Sequence, residues 1–373
     1  MKQFMCKGEI MDACYLHVPF CKDICSYCDF TRCRYHDVVS EKWLTRICLD
    51  IPKKLAHKKL ATCYIGGGTP SVLTFAQLTT LLIALKPYTQ EVSEYTIEAN
   101  IDSLSIDKIE SLHKFGVNRI SLGVQTLQPK LLKIINRQHS KKMIVETIAD
   151  LKKQGITNIS IDLMYGLPQQ TLAMWKADLQ QVIEEFDIQH ISLYALSIEE
   201  HSAFGRANVK QMDAQLEADM YEYAIAFLEE NGFTHYEISN FAKVGYASQH
   251  NQVYWKYGDF IGIGCGASGK ENHMRYDNTK NIQTYIEQGE QAENIMLSKQ
   301  DEMFEMIMMS LRMKQGLSLK QFEDAFQESI EVCYKQAIQQ NVKKGFVKIK
   351  NGYLCTTYQG MLYLNDVLLA FMQ

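Results

Sequence analysis

No stretch of this 373-residue sequence approaches eighteen consecutive apolar residues. The densest apolar run, 81–85, has the length of a buried helix segment, so a membrane-spanning helix is excluded. A basic surplus is missing as well: Lys and Arg number 39 against 43 Asp and Glu, a formal net charge of -4. That balance argues against nucleic acid as a partner. Also absent is a secretory signal, since Lys2 and Lys7 are followed by no continuous apolar core. Without one, 11 cysteines scattered along the chain read as reduced thiols of a cytoplasmic protein rather than as a disulfide framework. Met11 offers an alternative start, and no basic amphipathic helix stands out as a membrane anchor. What remains is an ordinary globular composition, 46% hydrophobic and 22% charged, with length for about two domains.

Three of the cysteines stand apart from the rest. Cys21, Cys25 and Cys28 fall within eight residues on a loop that follows a short strand. Three thiolates so spaced can converge on one soft-metal centre, and cysteine ligation is the usual way to hold an iron-sulfur cluster. Three ligands leave one iron of a four-iron cluster open to a small chelating molecule, much as an open position separates catalytic from structural zinc sites. A zinc site completed by Cys33 or His17 is the competing reading. Cys6, Cys14, Cys33, Cys48, Cys63, Cys265, Cys333 and Cys355 read as small buried hydrophobes or incidental thiols.

From residue 13 to about 232 short β-branched runs alternate with longer amphipathic segments. Strands are predicted at 13–18, 61–65, 94–98, 118–124, 158–164 and 190–196. Helices are predicted near 39–57, 75–87, 105–115, 128–154, 172–186 and 213–231. Such alternation means βαβ units and a parallel sheet. Six units fall short of the eight that close a full barrel, so the expected fold is α/β, an open partial (β/α)6 barrel with its chemistry at the C-terminal strand ends. Residues suited to a ligand stand at those ends: Gly66, Gly67, Gly68 and Thr69 after the second strand, Glu98 in the third, Gln125 after the fourth and Asp162 in the fifth. Arg137 lies downstream of Gln125.

The pattern Cys-x3-Cys-x2-Cys with Tyr27 before its last cysteine resembles the radical S-adenosylmethionine (SAM) superfamily. In order, the segments Tyr15-x-His-x-Pro-Phe-Cys21, Gly66-Gly-Gly-Thr-Pro70, Ile97-Glu-Ala-Asn100, Ser121-Leu-Gly-Val-Gln125, Ile135-Asn-Arg-Gln-His139 and Ile161-Asp-Leu-Met-Tyr-Gly-Leu-Pro168 resemble the oxygen-independent coproporphyrinogen III oxidase-like family within it. The resemblance implies a [4Fe-4S] cluster on Cys21, Cys25 and Cys28, with SAM on the open iron. It further implies that Tyr15 and Tyr27 border SAM, that Gly67, Gly68 and Thr69 contact its methionyl part, and that Glu98, Gln125, Arg137 and Asp162 complete the pocket. A zwitterionic methionyl group suits a carboxylate and a guanidinium, and a ribose suits an acidic acceptor.

Beyond residue 232 the alternation stops. We take 1–232 as the radical SAM partial barrel, 233–296 as an extension covering its open mouth, and 297–373 as a C-terminal helical, winged-helix-like domain. The GxGxG run near 262–266 lacks the strand-helix-acid context of a dinucleotide site. In the third section, helices near 300–313, 318–327 and 329–343 precede a hairpin turning at Asn351 and Gly352, then a last helix over 358–371. Its acids offset its Lys and Arg, so a packing or partner role is expected rather than DNA binding. The methionines near 303–309 read as adaptable core filler.

Two functions compete inside the family. The oxidases carry a fourth cysteine two residues after the third, where this chain has Phe30, and a long N-terminal arm, where only twenty residues precede Cys21. His250-Asn-x-x-Tyr254-Trp255 resembles the signature of the HemW-type heme chaperone branch, which implies heme as a cofactor held by His250; imidazole is a standard axial ligand and aromatics pack on porphyrin faces. The expected function is therefore a cytoplasmic heme chaperone carrying a [4Fe-4S] cluster and SAM, with SAM cleavage left open. Its expected partners are heme and a heme-accepting protein such as a membrane respiratory enzyme, and a homodimer is allowed. A coproporphyrinogen III oxidase and a non-catalytic cluster-bearing redox sensor are the alternatives.

Overall fold

The computed structural model describes residues 12–372; Cys6 and the alternative start at Met11 lie outside them. The chain opens with β1 (Asp12–Val18), and the short strands β2 (Phe20–Cys21) and β3 (Cys33–Arg34) pair in parallel across the cysteine loop. Then β4 (Leu60–Gly67), β5 (Glu94–Ala99), β6 (Arg119–Gln125), β7 (Asn158–Tyr165) and β8 (His190–Ala195) follow one another in parallel register beside β1. These are the six expected strands, each within a residue or two of its predicted bounds.

Side-chain alternation explains the two surfaces of this sheet. Leu16, Ile65, Ile97, Leu122, Ile161 and Ile191 point outward and belong to one buried core. Covering that face are α1 (Asp37–Leu55), α2 (Phe75–Thr89), α3 (Ile106–Lys114), α5 (Lys141–Lys153), α6 (Leu172–Glu185) and α8 (Ala214–Glu230), while α4 (Pro129–Ile134) and the short α7 (Ala203–Arg206) join a smaller core with Met164 and Leu196. The helix expected over 128–154 is two helices. Asn136 adopts φ 59°, which ends the first, and the Ser140 hydroxyl accepts from Met143 N to start the second.

Residues 233–296, expected to cover the barrel mouth, line none of the cavity at the strand ends and instead lengthen the sheet at both edges. At one edge β9 (Thr234–Glu237) and β10 (Asn240–Ala242) add antiparallel to β8. Next comes α9 (Gln249–Trp255), after which β11 (Phe260–Ile263) pairs in parallel with the other side of β1. Antiparallel β12 (Ser268–Glu271), β13 (Met274–Asn278) and β14 (Ala292–Met296) continue that edge, with α10 (Ile282–Gln288) between the last two. The result is one twelve-stranded sheet. These edge strands are three to five residues long and follow no βα rhythm, so periodicity gave no sign of them.

The C-terminal section forms its own core around Phe322, Leu354 and Val367. It holds α11 (Lys299–Ser310), α12 (Leu319–Phe326) and further short helices packed on a three-stranded sheet. Its hairpin turns where expected, with Asn351 at φ 51° and Gly352 at φ 80°, the double left-handed geometry of a tight hairpin turn. Among the described residues no helix is long and apolar enough to cross a membrane.

Candidate functional site

A cavity of about 390 Å³ opens at the C-terminal ends of the parallel strands, within the usual range of ligand pockets. Cys21, Cys25, Cys28, Tyr27, Gly67, Gly68, Thr69, Glu98, Gln125, Arg137 and Asp162 all line it. Phe30 lies at its edge, 69% exposed.

The cysteine loop is fastened from three sides. Cys33 N donates to Pro19 O and Tyr35 N to Cys21 O, at 2.7 and 2.8 Å. From the turn between α4 and α5, Ile135 O accepts from Ser26 N and Asn136 Nδ2 donates to Ile24 O. Arg32 clamps the loop from within by donating to the carbonyls of Cys28 and Phe30.

The glycine loop meets the same segment from below. Gly68 N donates to Val18 O and Thr69 N to Phe20 O, at 2.8 and 2.7 Å. A Cβ on Gly68 would stand 2.6 Å from Phe20 O and 3.0 Å from Cys21 Sγ, so only glycine fits. Gly67 has φ +116°, and its N–H donates to Glu98 Oε2 at 3.1 Å. At the end of β6 a bulge relative to β7 leaves Gln125 at φ 67° and turns it into the cavity.

A polar chain runs along the wall: Thr69 Oγ1 reaches Cys21 Sγ at 3.6 Å, Asn100 Nδ2 donates to Thr69 Oγ1, and Arg137 Nη1 donates to Asn100 Oδ1 at 2.6 Å. Asn100 is thus central to the wall, although the sequence marked it only as the last residue of the segment Ile97-Glu-Ala-Asn100, one residue past β5. Ser121, Met164 and Tyr194 also line the cavity; the first two lie inside the family segments at 121–125 and 161–168, and nothing in the sequence singled out Tyr194.

Burial dominates the titration of these groups. It pushes Cys21 up to about 11, against a lowering by the Thr69 hydroxyl, and raises Cys28. These two thiols stay protonated until a metal centre displaces the protons. Burial also lifts Glu98 to about 7, with Tyr64 OH donating to it at 2.8 Å. Asp162 is raised by burial and steadied by Ser192 and Ser121. For Arg137 burial works to lower the pKa, but Tyr27 and Cys25 outweigh it and hold the guanidinium charged.

The donor set fits the groups that the sequence suggested. Three thiols face one cavity, and the Arg137 Nε beside them is buried without a partner. Among the described residues no three His, Cys, Asp or Glu side chains already close on one point. A cubane cluster spaces its thiolates over separate irons and needs no such convergence.

Two expected site residues lie elsewhere. Tyr15 does not line the cavity; it faces inward on β1 level with Tyr64, one layer below the rim, with its hydroxyl 3.0 Å from His17 Nδ1. Strand alternation, not distance along the chain, decides which layer an inward residue joins. His250 is at the opposite end of the barrel. It is 1% exposed on α9, which lies against Glu94, the first residue of β5, and Thr62 near the start of β4.

Both His250 nitrogens are engaged, Nδ1 with Thr62 Oγ1 at 2.8 Å and Nε2 with Tyr254 OH at 2.7 Å, and the ring stacks on Tyr64. Burial drops its pKa to about 3. In this conformation both ring nitrogens that a heme iron would use are taken by protein partners. Instead the Glu94 carboxylate accepts from Ser248 Oγ, Gln249 N and His250 N, bolting α9 across the bottom of the barrel.

The radical SAM superfamily model matches residues 15–182, and the HemN C-terminal domain model matches 297–363. A solved structure of Escherichia coli coproporphyrinogen III oxidase (HemN) superposes with TM-score 0.85 over 97% of this chain and 90% of that one; at 22% identity the likeness shows the fold. Fold and site together define a radical SAM barrel with a HemN-type C-terminal domain. Among curated relatives, "Heme chaperone HemW" of Lactococcus lactis is 36% identical over 97% of both chains, and that of Bacillus subtilis is 33% identical over 97% and 99%. The E. coli relative of that name is 31% identical over 96% and 97%. The chain belongs to the HemW family of radical SAM proteins.

Proposed function

We propose that this protein is a heme chaperone that binds heme and passes it to an acceptor protein, with a [4Fe-4S] cluster and SAM as its resident groups. The observation that carries the reading is the end-to-end kinship with HemW chaperones, at 36% identity over 97% of both chains. Phe30 agrees with it, since an exposed aromatic stands in the cavity wall where the oxidase pattern has a cysteine.

Cys21, Cys25 and Cys28 hold the cluster. Gly67, Gly68 and Thr69 offer backbone to the methionyl group of SAM, and Glu98 and Arg137 face its ammonium and carboxylate. Asp162 takes the ribose hydroxyls, while Tyr27 and Gln125 close the walls. When bound, a reduced cluster with SAM supplies one-electron cleavage of the sulfonium. The chain's own part is to hold that pair against strand ends and keep Arg137 charged beside it. The site of action is the cytoplasm, and the acceptor is a heme protein such as a membrane respiratory enzyme.

Anaerobic incubation of the reconstituted protein with coproporphyrinogen III, SAM and a reductant tests the reading against the oxidase alternative. The expected result is no protoporphyrinogen IX; steady formation of that product assigns the chain to the oxidases.

A further inference from the structure

The six barrel strands carry a single Arg or Lys between them, Arg119, the first residue of β6. Ile120, Leu122 and Val124 belong to the outer core, so Arg119 points into the barrel together with Ser121 and Gln125. It is 2% exposed, and its Nε has no partner. The positions paired with it on the neighbouring strands are Thr96 and Asn158, neither of which carries charge. Among the described residues no carboxylate forms an ion pair with it. A guanidinium stays charged, and holding one in the interior without a counter-ion is costly. Its field therefore falls on whatever carboxylates stand nearest.

Those carboxylates are Glu98 and Asp162. Glu98 pairs across the sheet with Ser121, one inward position above Arg119, and Ser121 Oγ donates to Asp162 Oδ1 at 3.1 Å. Two acids on one rim repel, and each resists ionising beside the other. Burial raises both; for Glu98 the Asp162 charge adds to the rise, while Tyr64, the Gly67 amide and Arg119 oppose it. For Asp162 the opposition comes from the Ser192 and Ser121 hydroxyls, Arg119 and Arg137. Around the pair, burial keeps Tyr15, Tyr64, Tyr194, Tyr236 and Tyr254 protonated and holds His190 and His250 neutral. Two further buried carboxylates have donors of their own. Glu94 accepts from Ser248, Gln249 and His250, and Glu237 from Ser239 and Asn240. Arg137 is engaged at the rim by Asn100, which leaves Arg119 as the cation under the pair.

We propose that Arg119 is a positioning residue for SAM: its unpaired charge beneath the rim holds Glu98 and Asp162 as anions together, ready for the methionyl ammonium and the ribose hydroxyls. This rests on the SAM pocket of the heme-chaperone reading and adds a residue from outside that pocket. Arg119 lines none of the cavity, so it acts through the two carboxylates and touches no part of the ligand. A charge that served packing alone could give way to an apolar side chain of like length with no effect on how SAM binding depends on pH.

The test is SAM binding to the cluster-loaded full chain, measured by anaerobic equilibrium dialysis from pH 6 to 9. In wild type affinity rises through about pH 7 as Glu98 ionises. In Arg119→Met that rise moves up by about one pH unit, so affinity at pH 7 falls roughly fivefold and returns to the wild-type level by about pH 9. Arg119→Lys, which keeps the charge, follows wild type. Iron and sulfide content and far-UV circular dichroism are unchanged in both. A folded Arg119→Met whose rise coincides with that of wild type, or whose affinity falls equally at every pH, overturns the assignment. If Arg119→Met does not hold a cluster, Arg119→Gln is read in the same way, and failure of both to fold marks the residue as structural and overturns the assignment as well. Wild type that binds no SAM at any pH brings down the pocket itself, a result distinct from an unmoved rise.

Discussion

Replacing His250 by alanine separates a structural bolt from a surface ligand, and its cost can be worked from the contacts. The Thr62 and Tyr254 hydroxyls lose their partners at 2.8 and 2.7 Å, a penalty of about 1–3 kcal/mol each. The stack on Tyr64 and the edge contact with Tyr254, both at 5.1 Å, contribute roughly 0.5–1.5 kcal/mol each. Water entering from the barrel interior recovers part of this, so we expect a net loss of about 3–5 kcal/mol. At a few degrees per kcal/mol for a domain of this size, the melting temperature falls by roughly 10 °C. Far-UV circular dichroism of the cluster-loaded protein reads it, and His250→Gln, which keeps one hydrogen bond, falls between the two. A variant that melts like wild type yet loses heme would refute the bolt and restore His250 as a ligand.

The same burial gives a pH signature. His250 titrates near 3 in the folded chain, and His139 and His235 near 4, against about 6.5 when unfolded. The unfolded chain therefore takes up protons first, so stability falls as pH drops from about 6.5 toward 4, and less steeply in His250→Ala; a flat urea midpoint over that range contradicts the burial. Cys25→Ala should abolish the cluster, measured as iron and sulfide after anaerobic reconstitution; undiminished content would show the three thiols to be misassigned. Gly68→Val should disturb cluster and SAM together, because its Cβ strikes Phe20 O and Cys21 Sγ; loss of SAM alone, with the cluster signal unchanged, would place the loop differently. Glu98 titrates near 7, so SAM affinity should rise from pH 6 to 8 and the rise vanish in Glu98→Gln; an unaltered slope removes Glu98 from the pocket.

The barrel was legible because strands such as Ile159, Ile161 and Leu163 against Ser160 and Asp162 alternate cleanly and are spaced by amphipathic helices. The rim was legible because its residues sit at strand ends, where the cavity gathers eleven of the expected ones. The layer of Tyr15 was not legible, because it sits in the cysteine-loop motif while its strand position puts it below the rim. The burial of His250 was hidden for a tertiary reason: no local pattern tells that α9 turns its histidine into the barrel to meet Thr62. Asn136 and His139 read as pocket motif, yet Asn136 serves to break a helix and pin the cysteine loop. The short edge strands arise from pairing between distant segments and leave no periodic trace.

Heme retention by the reconstituted protein tests the central claim most directly. The protein is loaded with hemin under anaerobic conditions, passed through gel filtration, and the Soret absorbance compared with protein concentration. We predict one heme per chain, stable through the column and transferable to an apo-heme protein on mixing. Protein that elutes with cluster and SAM site intact but without heme would contradict the account.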